Sequence, residues 1–60
     1  MTDRALLDHL SRLPHARGNF KQLVRELGAK GEKREELDAA LDRLTARGEL
    51  LELRSGLLSL

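Results

Sequence analysis

Sixty residues without a cysteine make one small domain, with no disulfide framework and no thiolate metal site. A chain this short hides only about 60% of its unfolded surface on folding, so its core must be efficient. Fifteen leucines supply most of that core. The formal net charge of +1 conceals a segregation: residues 12–34 carry seven Lys/Arg against Glu26 and Glu32, a net +5. Residues 35–52 carry Arg43 and Arg47 against six acids, a net −4.

Several classes are set aside by the same counts. Trp and Tyr are absent and Phe20 is the one aromatic residue, which argues against base stacking as a main mode of binding. No apolar run approaches the roughly 18 residues of a membrane span, and the N-terminus lacks a basic-then-apolar signal pattern. The chain reads as cytoplasmic, with no membrane partner.

Thr2 is a good helix N-cap, and Leu6, Leu10 and Leu13 follow it at helical spacing. Pro14 biases Leu13 away from helical geometry, so the first helix is expected from about Asp3 to Arg12. Pro14 to Gly18 reads as a loop. Asn19 can cap a second helix over Phe20 to Leu27, with Gln22 in the position that a capping box uses. Phe20, Leu23, Val24 and Leu27 form its apolar stripe, and Gly28 stands where a left-handed C-terminal residue is wanted. After the turn Ala29-Lys30-Gly31, a third helix is expected over Glu32 to Arg47, with Leu37, Ala40, Leu41 and Leu44 inward. Its acids come early and its bases late, as the helix dipole prefers.

Residues 50–60 centre on Ser55-Gly56. With those two as a hairpin loop, position 53 faces 58 and 51 faces 60. Leu51, Leu53, Leu58 and Leu60 then share one face. A bulged loop with Gly56 left-handed is the alternative. Three helices followed by a C-terminal β-hairpin give a mostly α, α+β domain in the order of a winged helix-turn-helix. The chain stops directly on a strand, which predicts a single domain, residues 1–60, excised from a longer protein.

No constellation for catalysis stands out, so these sixty residues are read as not an enzyme, with no cofactor and no metal. Asp38 and Asp42, one turn apart, lack an evident third ligand and read as solvated carboxylates. His9 flanks the apolar stripe of the first helix and reads as a boundary residue there. Binding remains. The outward face of the third helix centres on Glu35, Ala39, Asp42 and Ala46, so carboxylates would meet a groove walled by phosphates. That helix has no Asn or Gln to read adenine, and Arg43 alone could read guanine.

The basic residues lie elsewhere. Arg17 precedes the second helix, Lys21 and Arg25 share a face on it, and Lys30, Lys33 and Arg34 surround the turn into the third. Arg54 adds one base on the hairpin. These seven are the candidate nucleic-acid contacts, on an edge that holds backbone phosphates without reading sequence. The helix N-termini nearby offer backbone N–H groups that suit phosphate. The plainer reading is a solvated basic surface that balances an acidic one.

Phe20-Lys21-Gln22-Leu23, Leu27-Gly28-Ala29-Lys30-Gly31-Glu32, Leu37, Leu41, Leu44, Gly48-Glu49-Leu50 and Gly56 together resemble the N-terminal winged-helix domain of bacterial ribonuclease R and related RNB-family exoribonucleases. The resemblance covers about Ala5 to Leu60. It implies a non-catalytic, RNA-binding accessory domain ahead of a 3'-5' exoribonuclease core, where a separate domain holds magnesium with aspartates. None of those catalytic residues maps onto this chain. The wing departs from the family, which often has basic residues and a tyrosine there. The partners implied are RNA, bound weakly and salt-sensitively, or the rest of the parent chain, and the isolated domain is expected to be monomeric. Two alternatives stand beside this: a protein-interaction or intramolecular docking module using the acidic third helix and Leu57, and the DNA-binding domain of a transcription regulator.

Overall fold

The computed structural model describes residues 2–60, apart from the side chain of Ser55. Among the described residues there are three α-helices and one small antiparallel sheet, a mostly helical α+β arrangement. Helix α1 spans Asp3–Ser11, and the Thr2 hydroxyl accepts from the Ala5 N–H at 3.1 Å, so the predicted cap forms. Arg12 falls just outside as its C-cap. Leu13 is extended (ψ 154°) ahead of Pro14, as the proline requires. Helix α2 spans Phe20–Leu27, and the Asn19 side chain accepts from the Gln22 N–H at 2.8 Å. The Gln22 side chain does not reach back to close a capping box; it donates to Glu26 at 3.2 Å. Helix α3 spans Glu32–Ala46, with Arg47 as its C-cap.

Gly28 ends α2 in the left-handed region at φ 64°, and its N–H donates to the Val24 carbonyl. Nothing lies within 4 Å of where a Cβ would stand, so an alanine there meets backbone strain alone. Gly28→Ala is therefore expected to cost about 1–2 kcal/mol, and Gly28→Asn less. A calorimetric scan should show the alanine variant melting roughly 5–15 °C lower.

The stretch predicted as a loop contains more structure than expected. A 3-10 turn at Pro14–Ala16 leads into strand β1, Arg17–Asn19. Strands β2, Leu51–Glu52, and β3, Leu57–Ser59, form the hairpin, and β3 lies between the other two. The hairpin register also differs from the expected one. Leu51 pairs with Ser59 and Glu52 with Leu58, one residue away from the two-residue-loop arrangement. The loop instead takes three residues, Arg54–Gly56, with Gly56 left-handed at φ 73°. The Leu53 N–H donates to the Leu57 carbonyl to close it.

That slip redistributes the leucines. Leu58 is buried at 6% exposure, and Gly18 of β1 pairs beside it. Leu50, just ahead of β2, enters the core at 1%. Leu51 and Leu60, expected inside, are 57% and 45% exposed. The four-leucine face does not form because β3 must satisfy two neighbours at once. The core is built from Leu6 and Leu10 of α1, Leu23 of α2, the inner stripe of α3, Ala29, Leu50 and Leu58. All four predicted positions of the α3 stripe are buried.

Candidate nucleic-acid interface

Helix α2 buries Leu23 and packs Phe20, Val24 and Leu27 against the edge of the core, which leaves two flanks. One flank turns toward α1. There the His9 Nε2 lies 2.7 Å from a Glu26 carboxylate oxygen, and Gln22 donates to the other oxygen. Lys21 and Arg25, one turn apart, project from the opposite flank and are exposed. Ala29 is buried and anchors the turn into α3, while Lys30 beside it is exposed.

Lys33 and Arg34 are exposed at the start of α3, and the Arg34 guanidinium lies over the Phe20 ring at 5.5 Å from its centre. That distance suits a cation–π contact. Phe20 also borders a hollow shared with Asn19, Lys21 and Gly56, so the hairpin loop adjoins the start of α2. The ring thus gathers Arg34, the α2 start and the loop. The seven expected contacts divide accordingly. Lys21, Arg25, Lys30, Lys33 and Arg34 surround α2 and its turn into α3. Arg17 stands on β1 opposite Ser59, and Arg54 in the hairpin loop.

Charge pairing separates these bases from Arg43 and Arg47. Among the described residues, the contacts between charged side chains join Arg43 and Arg47 to Asp3 and Arg47 to Glu49, and His9 hydrogen-bonds with Glu26. None involves any of the seven. Arg43, the base flanking the outward face of α3 that could have read guanine, donates to both oxygens of Asp3, at 2.6 and 3.1 Å. It is spent on tying the end of α3 to the start of α1. The outward residues Glu35, Ala39, Asp42 and Ala46 are exposed as expected. At the helix starts, Asn19 occupies one N–H of α2, whereas Gly31 gives α3 no side-chain cap.

The Arg43 guanidinium holds the Asp3 carboxyl below its ordinary value of 3.8, with Arg47 adding to the effect. Glu26 is lowered too, chiefly by the hydrogen bond with His9 and then by Gln22. Arg43 is raised by the same contact with Asp3. For Asp3 the folded state binds its proton less readily than the unfolded chain. Its stabilisation is complete above about pH 4 and is lost as pH falls through the lowered folded value. Asp3→Asn is expected to melt below the parent at neutral pH. That gap should close on acidification below about pH 4, as followed by thermal melts.

Two features of this region lay outside the sequence-based expectation. One is the role of Phe20 as the ring on which Arg34 rests. The other is that Asp38 and Asp42, read as merely solvated, border a groove with Glu52. Residue spacing carries no sign of either, because the first depends on how α2 packs against α3 and the second on how the hairpin does. Comparison with models of protein families, with curated proteins and with solved structures finds no match to this chain.

Proposed function

We propose that this chain is a winged helix-turn-helix domain that binds RNA through backbone phosphates, as a non-catalytic accessory module of an RNB-type 3'-5' exoribonuclease. The fold part of this reading is supported by the element order: a helix, a short strand, two helices joined at residues 28–31, and a hairpin whose last strand is central. The exoribonuclease part is supported by the resemblance of the Leu27-Gly28-Ala29-Lys30-Gly31-Glu32 stretch.

One observation carries the binding part. Lys21, Arg25, Lys30, Lys33 and Arg34 are exposed around α2 and its turn into α3 and form no ion pair, while the arginines late in α3 are neutralised by acids. Charges left unpaired in this way attract a polyanion without reading its sequence. The outward face of α3 carries acids, so this edge, with the first turn of α3 and not that face, meets the phosphates.

The test is a titration of isotope-labelled protein with a hairpin RNA bearing a single-stranded tail. Shifts are expected within residues 12–34, and log K should fall with log salt at a slope of about −2 if three phosphates are neutralised. No shift at low salt would move the reading to a docking module. A preference for one duplex DNA sequence would move it to a transcription regulator.

A further inference from the structure

A second surface, opposite in charge, lies between α3 and the hairpin. It is a groove of about 440 Å³. Its floor is apolar: Leu41 and Leu58 are nearly buried, and the half-buried Phe20 closes one end. Its rim is acidic, with Asp38 and Asp42 one turn apart on α3 and Glu52 across from them on β2. The Thr45 hydroxyl, also on the wall, is spent on the Leu41 carbonyl at 2.7 Å.

Among the described residues, none of these three carboxylates pairs with a base; Asp3 and Glu49 pair with arginines and Glu26 lies against His9. Arg43 and Arg47 cannot relieve them, because both reach toward Asp3 at the start of α1. Arg34 adjoins Asp38 and Phe20 at one end but pairs with none of the three acids, so the rim keeps an excess of negative charge beside an apolar floor, which a cationic occupant relieves. Among the described residues no three such side chains stand close enough together to hold one metal ion. Cations spaced along a chain suit the rim better than a single ion does. Nucleic acid is repelled by the same carboxylates.

The geometry points to this groove as the docking site for a basic, partly apolar segment of a partner protein. Arginine or lysine side chains of that segment meet Asp38, Asp42 and Glu52, and an aliphatic residue rests on Leu41 and Leu58. Long basic side chains also lay their own methylene stems on such a floor. A second copy of this chain is a poorer occupant. Its unpaired bases on α2, Lys21 and Arg25, flank Gln22, the buried Leu23 and Val24, so no exposed apolar residue stands between them. The site is separate from the basic edge and does not depend on RNA binding there.

The test uses the sixty-residue protein and a short synthetic peptide alternating arginine and leucine, capped at both ends. Amide shifts are expected at Leu41, Asp42, Thr45, Glu52 and Leu58. Asp42→Lys combined with Glu52→Lys should weaken binding about tenfold or more. Glu36→Lys, an exposed reversal outside the groove, should leave it unchanged, with circular dichroism confirming that every variant folds. A peptide with serine in place of leucine should bind more weakly. Equal binding by the serine peptide, by the groove double variant, or with shifts spread over all acidic surfaces would overturn the proposal. A concentration-dependent dimer of the protein alone that Asp42→Lys dissolves would assign the groove to a second copy instead. Shifts at these same residues on adding RNA would also sink it, whereas RNA shifts confined to residues 12–34, or none at all, leave the peptide result to decide.

Discussion

Leu44→Ala is expected to leave much of the domain unfolded. Leu44 is fully buried on the inner stripe of α3, and its carbonyl accepts from both Glu49 and Leu50 N–H groups where the chain leaves the helix. Truncation removes apolar contacts and leaves a cavity within the core cluster, at a cost of about 2–5 kcal/mol. A domain of this length has only about 3–9 kcal/mol in total. Most of its stability is therefore at stake, and urea and thermal melts should show a midpoint lowered by 10 °C or more, by the usual scaling of roughly 4–8 °C per kcal/mol. Leu51→Ala serves as the contrast. Leu51 is 57% exposed, so its truncation is expected to stay within about 0.5 kcal/mol. If Leu51→Ala proved as damaging as Leu44→Ala, the hairpin register described above would be wrong and the two-residue loop would be restored.

The contrast between those two leucines shows where the amino-acid sequence was sufficient. Both ends of α2 rest on neighbours within the same segment, Asn19 at the start and Gly28 at the end, so its limits could be read directly. The α3 stripe was legible for the same reason, because helical spacing alone decides which side of a long helix is apolar. The hairpin register was not. It is set jointly by the three-residue loop and by β1, a strand of only three residues that meets β3 some forty positions away. Nothing local in Arg17-Gly18-Asn19 announces a strand; its partner creates it.

The candidate site divides in a similar way. The excess of bases over residues 12–34 could be counted, and their exposure followed from the apolar stripes. Pairing could not be counted. Arg43 looked as available as Arg25 until Asp3, forty residues earlier, was found beside it. The groove rim likewise joins Asp38 and Asp42 to Glu52, which a period-based reading of α3 leaves alone with solvent. Long-range contacts thus change which charges are free more than they change which are exposed.

Lys21→Glu with Arg25→Glu is the larger functional prediction, because it reverses charge on the one flank of α2 that faces neither α1 nor the core. Two phosphate contacts become two repulsions. If three phosphates are held by the parent, the salt slope should drop from about −2 to about −0.7, with affinity too weak to measure at moderate salt. Stability should hardly move. A glutamate at position 21 sits in the first turn of α2, where the dipole favours it, and one at position 25 sits near the end, where it is disfavoured, each by roughly 0.3–1 kcal/mol. Those two effects oppose each other, so lost binding cannot be laid to unfolding. The same reversal at Arg54 should cost less, since that residue stands in the hairpin loop two positions from Glu52. Undiminished RNA binding by a folded Lys21→Glu, Arg25→Glu protein would remove α2 from the interface and leave only Arg17, the turn into α3 and the loop to account for any affinity.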